Sequence, residues 1–265
     1  MPLPPELRRV YGRLTLPLPQ DRPWVVANLA STLDGVANFP SLAPARAGEV
    51  AGGDANDRFL LGLLRSLADY VVVGAGTLRS APRHSWLPGA TFPSATDHFD
   101  ALRASWGRHE PPIRVFVSGR GDIDLSLPVF RSGVGRAIIV TGPGGAERLA
   151  AQGTPSNLSV LRIAPSSRTP FTRELLRRLP RSRPGTILLL EGGPRLLGEF
   201  LEQRTLDELF LTLALRFSGN RTSESRTHLV EDVLFSPERT PWGELESVRR
   251  HGPNLFLRLG LRSPR

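Results

Sequence analysis

The residues best placed to do chemistry follow a short apolar run, in the stretch ILLLEGGPRLLGEFL (187–201). The run ends at one acid, Glu191, and two glycines and Pro194 come before a helical pattern of leucines. Proline suits the first position of a helix, so the pattern predicts a strand, a tight turn and a helix. A helix N-terminus favours an anion such as a phosphate, and an acid at the end of a buried strand lies where open α/β sheets bind ligands. The alternative is an ordinary turn with a charged residue at its rim.

Two more strands end in small or polar turns, GAGT (74–77) and SGRG (118–121). Parallel neighbouring strands would bring both turns and EGGP (191–194) to one edge of a sheet, which makes a better phosphate site than any turn alone. Ser118 and Arg120 offer a hydroxyl and a bidentate guanidinium to a phosphomonoester, although alone they are better explained as a solvated turn. GAGTLR is not the dinucleotide fingerprint, because its sixth position is an arginine instead of a glycine.

Asp34 is a further candidate, in the turn STLDG (31–35). It could be a catalytic or substrate-binding carboxylate, but Asp-Gly also forms turns without any other role. The five histidines show no pair at metal-ligand spacing, the chain has no cysteine, and no serine has the G-x-S-x-G context of a nucleophile elbow. We therefore expect no metal site, no disulfide and no serine hydrolase.

These residues must be positioned by an alternation of strands and helices that lasts until about residue 200, after which strands dominate. Apolar runs predict strands at 24–30, 70–77, 113–121, 137–145, 158–163, 187–190 and 206–217, and a terminal hairpin over 244–261. Leucines at helical spacing predict an amphipathic helix over 55–68, with Asp54 as its N-cap. Residues 79–111 have no clean period and are predicted to be a long irregular segment that could act as a lid.

This order of elements predicts an α/β fold with a mostly parallel central sheet, helices on both faces, and antiparallel C-terminal edge strands. Residues 1–22 are predicted to be a proline-rich N-terminal arm. Residues 23–265 show no linker or internal repeat and are predicted to form a single domain.

The charge of the chain is weak evidence for a nucleic-acid partner. All 34 basic residues are arginine, and the formal net charge is +9. The arginines are scattered and often adjacent to acids, without a basic strip of interleaved aromatic residues, so we expect no nucleic-acid partner. No apolar run is long enough to cross a membrane, and the N-terminus lacks the apolar segment of a secretion signal. We therefore expect a cytoplasmic protein with a small-molecule substrate.

Four stretches carry a family resemblance: RPWVVANLASTLDG, LLRSLADYVVVGAGTLR, FVSGR and LLLEGGPRLLGEFLEQRTLDELFLTLAL. In this order they resemble the reductase domain of riboflavin biosynthesis, the C-terminal half of the bifunctional deaminase–reductase, over residues 22–262. The resemblance implies a dihydrofolate reductase-like fold. It also implies an oxidoreductase that transfers hydride from NADPH to a ribosylamino-pyrimidine phosphate or another small heterocycle. Nothing resembles the zinc deaminase partner domain.

The resemblance also implies roles for the matching positions. Thr77 would hydrogen-bond a phosphate region of the cofactor, the turn from Gly193 to Leu197 would hold the pyrophosphate, and Ser118 and Arg120 would fit the 2′-phosphate. The implied cofactor-binding set is Ala30, Gly74, Gly76, Thr77, Ser118, Arg120, Gly192, Gly193, Pro194, Arg195 and Leu196. The implied substrate-binding set is Asn28, Thr32, Arg65 and Glu191. Glu191 would also act in catalysis by orienting the substrate or relaying a proton. Asp34 would hold its turn and could also bind a ring amino group.

Four positions depart from the family pattern. The chain has Asn28 where the family usually has a lysine, Glu49-Val50-Ala51 for a Ser-x-Trp, Ala81 for an aspartate, and Arg195 for a threonine. A divergent, stand-alone member is therefore expected. Asn28 and Ala51 leave open a pterin or dihydrofolate reductase, and a non-catalytic nucleotide-binding protein of the same fold is a third reading. The long apolar strand 206–217 predicts a homodimer.

Overall fold

The computed structural model describes residues 2–17, 19, 21–39, 48–164, 170–180, 184–221 and 226–261. The strands in these ranges are β1 (Trp24–Thr32), β2 (Val36–Asn38), β3 (Tyr70–Gly74), β4 (Ile113–Val117), β5 (Ala137–Thr141), β6 (Leu158–Arg162), β7 (Ile187–Leu190), β8 (Glu208–Ala214), β9 (Thr227–His228), β10 (Glu244–His251) and β11 (Asn254–Gly260). The α-helices are α1 (Ala55–Leu67), α2 (Ala75–Ser80), α3 (Thr96–Ser105), α4 (Pro128–Arg131), α5 (Pro143–Ala150), α6 (Phe171–Arg178) and α7 (Pro194–Glu202). None of the described helices is both long and apolar enough to cross a membrane.

Nine of the described strands form one sheet in the order β10-β11-β8-β1-β7-β3-β4-β5-β6. Strands from β8 to β6 in this order run parallel, whereas β11 pairs antiparallel with β8, and β10 with β11. Although β7 comes late in the chain, it is inserted between β1 and β3. β2 and β9 form a separate antiparallel pair. The predicted mostly parallel sheet with antiparallel C-terminal edge strands is confirmed.

The central strands are covered by helices on both faces, as the sequence predicted. All four residues of β7 are buried, which explains why its sequence is continuously apolar instead of alternating. On one face Leu189 shares an apolar core with Phe59 of α1. On the other face Leu190 shares a second core with Phe200 of α7.

Two helix starts that position the site follow from local sequence signals. The side chain of Asp54 accepts a hydrogen bond from the backbone N–H of Asn56 at 2.7 Å, which caps α1. α7 begins at Pro194 directly after Gly193, where a missing proline N–H costs nothing. Both predicted helices are confirmed, and α1 ends one residue before its predicted limit.

The segment 79–111 differs from the irregular loop that the sequence predicted. It contains α3, and Trp86 and Phe99 are buried in the core beside α1. The guanidinium of Arg103 donates to the carbonyl of Ala68, just after the end of α1, at 2.5 Å. The segment is therefore packed onto α1. Its structure depends on these contacts with α1, and they leave no periodic pattern in the sequence of the segment.

β8 is shorter than the predicted strand 206–217 and lies inside the sheet, between β1 and β11. It ends at Ala214, where the chain turns tightly: the N–H of Arg216 donates to the carbonyl of Ala214 at 2.7 Å. The apolar sequence continues past this point, so composition alone overestimated the length of the strand. The predicted terminal hairpin is confirmed as β10 and β11.

The N-terminal residues lie across the sheet beside β8 and β11. Leu7 is fully buried, and the ring of Tyr11 meets that of Phe210 edge to face, with 5.8 Å between centroids. Arg258 of β11 donates to the carbonyl of Thr15 at 2.6 Å. This stretch therefore contributes to the core of the protein.

Gly62→Ala tests the packing of α3 on α1. A β-carbon at Gly62 would lie 2.6 Å from the ring of Phe99 and 2.7 Å from the carbonyl oxygen of Pro88, so we expect the free energy of unfolding to fall by about 1–3 kcal/mol. Gly76→Ala is the control, because a β-carbon there meets nothing within 4 Å and alanine favours a helix by about 0.5–1 kcal/mol. Urea unfolding measures both variants. Equal effects of the two substitutions would contradict this packing.

Candidate active site

A cleft opens at the carboxyl ends of β7, β3 and β4. These strands are parallel neighbours, so the turns that follow them meet, and the N–H of Gly74 donates to the carbonyl of Gly192 at 2.8 Å. The cleft has a volume of about 1000 Å³, at the upper end of the range of about 300–1,000 Å³ for ligand sites. The predicted convergence of the three turns at one edge of the sheet is confirmed.

The turn after β7 keeps backbone donors open. Gly193, which precedes α7, has no side chain that could cap the N–H groups of the first helical turn. The backbone of Gly192 has a φ of 109°, which glycine tolerates and other residues avoid. A β-carbon at Gly192 would also lie 3.5 Å from the hydroxyl of Thr77. The bare backbone and the helix dipole together fit an anion such as a pyrophosphate.

The turn after β4 holds Arg120 at the rim of the cleft. Gly121 closes this turn by donating its N–H to the carbonyl of Ser118 at 3.0 Å. A β-carbon at Gly121 would lie only 2.4 Å from the carbonyl oxygen of Gly145, so the turn rests directly on α5. Arg120 is exposed on this fixed turn and lines the cleft, where its guanidinium is suited to a phosphomonoester.

A buried ion pair lies beside the glycine turn. Arg65 donates from Nε and Nη2 to the two carboxylate oxygens of Glu191, both at 2.6 Å. The side chains are 1% and 5% exposed. Arg65 also donates from Nη1 to the carbonyl of Leu87 at 3.1 Å. Both oxygens of Glu191 are therefore engaged, which suits an orienting group better than a group that exchanges protons.

One face of α1 lines the cleft through Asp57, Leu61 and Arg65. Their spacing of four residues places them above one another on the helix. Asp57 is 8% exposed, and its burial raises the pKa of its carboxyl to about 6, although the hydroxyl of Thr212 on β8 lowers it. Sequence reasoning missed Asp57, because acids are common in the first turn of any helix. Its position eight residues before Arg65 places both residues on one face of the helix, but the sequence does not show that this face lines a cleft.

The segment before α3 supplies an aromatic wall. The rings of His84 and Trp86 meet edge to face with 5.0 Å between centroids, and both line the cleft. Burial, with the positive charge of Arg65, lowers the pKa of His84 to about 3, so its imidazole is neutral near pH 7. Sequence reasoning did not single out these side chains, because their segment has no period from which burial could be predicted.

Thr32 and Asp34 do not line the cleft, contrary to the roles that the sequence suggested. Thr32 is fully buried, and its hydroxyl donates to the carboxylate of Asp34 at 2.5 Å. That carboxylate also accepts the N–H groups of Ser218 and Gly219. These hydrogen bonds, the one from Thr32 first, lower the pKa of Asp34 to about 2. The structure therefore supports the turn-forming alternative, with Asp34 joining two loops.

The other residues that the sequence suggested for the site do line the cleft. The cofactor candidates are Ala30, Gly74, Gly76, Thr77, Ser118, Arg120, Gly192, Gly193, Pro194, Arg195 and Leu196, and the substrate candidates are Asn28, Arg65 and Glu191. Their ligands stay predictions. Across the described ranges, no group of three or more His, Asp or Glu residues could hold a metal ion.

The sequence profile of the RibD C-terminal domain matches residues 23–239. The chain belongs to the RibD C-terminal domain family. This membership supports a reductase-type oxidoreductase. No protein among curated sequences matches the chain significantly.

Several solved structures share the fold of this RibD C-terminal domain. RibD of Acinetobacter baumannii has a TM-score of 0.65 and 19% identity, over 91% of this chain and 59% of RibD. A pyrimidine reductase-like protein from Corynebacterium diphtheriae has a TM-score of 0.69 and 22% identity, over 98% and 99% of the two chains. The riboflavin biosynthesis reductase Rib7 of Saccharomyces cerevisiae has a TM-score of 0.58 and 14% identity, over 95% and 94%. The chain thus spans about three fifths of the length of the A. baumannii protein.

Two departures from the RibD C-terminal pattern can now be located. Asn28 is buried on the cleft wall, and its Oδ1 has no hydrogen-bond partner among the described residues. Ala51 does not line the cleft, and its carbonyl accepts a hydrogen bond from Nδ2 of Asn254 at 3.1 Å. Glu49 and Val50 line the cleft instead. The departure at Ala51 therefore lies outside the cleft wall.

Arg65→Met should destabilise the protein, because it leaves Glu191 as a buried charge without a counter-ion. We expect the free energy of unfolding to fall by about 3–5 kcal/mol. The exposed pair of Arg195 and Asp232 provides the control, since these side chains are 80% and 60% exposed and Arg195→Met should cost no more than about 1 kcal/mol.

Urea denaturation measures these variants together with the double variant Arg65→Met/Glu191→Leu. The double variant should recover part of the loss, because it removes both charges. If it recovers nothing, the loss comes from packing and the unpaired charge is not its cause.

Proposed function

We propose that this protein is an NADPH-dependent reductase of a small heterocycle, with a ribosylamino-pyrimidine of riboflavin biosynthesis as the first candidate substrate. One observation carries the proposal: three backbone turns and the N-terminus of α7 converge beside Arg120 in a cleft that the Arg65–Glu191 pair also lines. Such a cleft suits a dinucleotide next to a second small molecule. Membership in the RibD C-terminal family supports the same chemistry, and one protein of similar fold is described as a riboflavin biosynthesis reductase.

NADPH fits the groups on one side of the cleft. Gly192, Gly193 and the open N–H groups of α7 would hold its pyrophosphate, with the hydroxyl of Thr77 beside them. Ser118 and Arg120 would bind the 2′-phosphate that distinguishes NADPH from NADH. When bound, the cofactor supplies the hydride, and the protein supplies position and electrostatics.

The substrate would lie between α1 and the carboxyl ends of β1 and β7. Because Arg65 fixes both oxygens of Glu191, that carboxylate can accept a substrate N–H or O–H through its remaining lone pairs and so orient the substrate. Trp86 and the segment around it close one wall against water. Glu191 is therefore proposed as an orienting residue, and its earlier suggested part in proton relay is not retained.

A pterin or dihydrofolate reductase is the second candidate, and Asn28 favours it. A neutral amide replaces the cation that would suit a phosphate-bearing substrate, and its buried Oδ1 has no partner among the described residues. Such an acceptor can take an N–H group of a heterocycle.

A substrate panel separates the candidate functions. It contains the ribosylamino-pyrimidine phosphate, its dephosphorylated form, a dihydropterin and dihydrofolate, and the loss of NADPH absorbance reports turnover. Acceleration by the pyrimidines supports the first function, and acceleration by the pterin or folate supports the second. Tight NADPH binding without turnover of any member would overturn both and favour the non-catalytic reading.

Arg120→Ala tests the choice of nucleotide. Loss of a charged hydrogen-bonding partner should weaken NADPH binding by about 1.5–3 kcal/mol, roughly ten- to a hundred-fold in Kd. NADH binding should change little, since NADH has no 2′-phosphate. Arg173→Ala, which removes an exposed arginine on α6, controls for net charge. Fluorescence titration measures both nucleotides, and equal losses would contradict the assignment.

We also propose a homodimer, formed through one face of the C-terminal strands. On this face Leu211, Leu257 and Val248 lie side by side on β8, β11 and β10. Leu245 and Val248 are 56% and 45% exposed, and contiguous exposed apolar surface is typical of association sites. The proposed contact is therefore made by this face of β8, β11 and β10.

Leu245→Glu/Val248→Glu should convert the dimer to a monomer, because each carboxylate would be buried without a partner. Arg249→Glu, on the opposite face of β10, should leave the dimer intact. Light scattering after gel filtration gives the mass of each variant. A wild-type monomer, or a dimer that survives both glutamates, would rule out this interface.

A further inference from the structure

A hydride transfer to an imine leaves one proton to be supplied, and two prominent groups of the cleft are poorly suited to supply it. Both carboxylate oxygens of Glu191 accept hydrogen bonds from the guanidinium of Arg65, so this side chain is already engaged by the protein. His84 is held neutral by burial, so it has no imidazolium proton to give near pH 7. The proton must therefore come from another side chain or from water.

Asp57 is a buried acid on the cleft wall that forms no ion pair with any described residue. It lies eight residues before Arg65 on the same face of α1, and eight residues of helix span about 12 Å. Asp57 is thus separated from the Arg65–Glu191 pair. Its carboxyl lies near β8, beside the side chain of Thr212.

The surroundings of Asp57 favour its neutral form. Burial raises the pKa of the carboxyl to about 6 and the charge of Asp54 raises it further, whereas the hydroxyl of Thr212 and the charge of Arg58 lower it. The turn before α1 faces the carboxyl through Gly48, which has no side chain. The carboxyl is therefore partly protonated close to neutral pH.

Two buried polar atoms on the neighbouring strands β1 and β8 still lack well-formed hydrogen bonds within the described residues. These are Oδ1 of Asn28 and the hydroxyl of Thr212, although the hydroxyl is close enough to Asp57 to influence it. Buried polar atoms are seldom left without partners. Asp57 and Asn28 both line the cleft, and Thr212 lies beside Asp57, so this side of the cleft is polar and offers groups that a hydrogen-bonding molecule can use.

We propose that Asp57 is the proton donor of the reduction, a role that rests on the proposed reductase function. The substrate class is an imine, with a C=N bond at the carbon that accepts the hydride. As the new C–H bond forms, the C=N π bond breaks and its electron pair takes the proton of the Asp57 carboxyl. The nitrogen gains an N–H bond, NADPH becomes NADP⁺, and the carboxylate regains a proton from water.

Asp57→Asn keeps the size and polarity of the side chain and has no acidic proton. Because the protonated carboxyl is the active form, kcat/KM of the wild type for the reactive panel member should fall above pH about 6. Asp57→Asn should lower kcat/KM by about 10²- to 10⁴-fold at low pH and abolish this fall, without changing NADPH affinity. Asp100→Asn, which removes an exposed acid of α3, should keep both the rate and the profile.

Thr212→Val provides a second variant of nearly unchanged size. It removes a hydroxyl that lowers the pKa of Asp57, so the fall in kcat/KM should move to higher pH. A purely structural role for Asp57 would leave the position of this fall unchanged. This variant also decides the question if Asp57→Asn does not fold.

The protein without ligands gives an independent readout. Between the ordinary value of 3.8 and about 6, the folded state holds a proton that the unfolded state has released, so stability falls as pH rises through this window and stays lower above it. Asp57→Asn removes the penalty. The difference in urea midpoint, Asp57→Asn minus wild type, should therefore be larger at neutral pH than at about pH 4.

The outcomes separate the two proposals. Wild-type kcat/KM in Asp57→Asn, or an unmoved profile in Thr212→Val, would overturn the role of Asp57 and leave the reductase function standing. If the wild type turns over no member of the panel, the proposed function fails and the proton donor fails with it.

Discussion

The buried ion pair between Arg65 and Glu191 is the contact on which the geometry of the cleft depends. It joins the last turns of α1 to the end of β7, and the bond from Arg65 to the carbonyl of Leu87 adds the segment before α3. Two charges so deeply buried are tolerated only as partners. The pair therefore fixes where α1 stands over the sheet, and with it the distance from Asp57, two helical turns away, to the glycine turns.

The fold was predictable wherever a local signal existed. Continuous apolar runs indicated the central strands, and the Asp54 cap and the Gly-Pro start of α7 indicated helices, because capping and burial act within a few residues. Residues 79–111 gave no such signal. The burial of Phe99 and Trp86 is imposed by α1, which precedes them in the chain, so composition alone could not reveal α3. The length of β8 was overestimated for a related reason: the apolar residues Leu215 and Phe217 follow Ala214, but the strand ends at Ala214.

The site was predictable to the extent that sheet topology brings strand ends together. The order β7-β3-β4 gathers the three turns, and that order follows from ordinary parallel pairing. The two carboxylates Asp34 and Asp57 were not separable by type or spacing. Asp34 lies in a conspicuous turn and is occupied by backbone N–H groups, whereas Asp57 sits among helix-start residues and faces the cleft. Only the three-dimensional course of α1 and β8 distinguishes a carboxylate already satisfied by the protein from one that is available to a ligand.

The insertion of β7 between β1 and β3 makes the cleft depend on contacts between distant parts of the chain. β1 and β3 cannot be bridged until a strand from the last third of the chain arrives, and contacts of such long sequence separation slow the search for the native state. The glycine turn proposed to hold the cofactor follows that same strand, so a nucleotide bound there would require the completed sheet. By mass action, a ligand bound there stabilises the whole fold against unfolding. Ligand binding in the cleft would thus indicate that the entire sheet is folded.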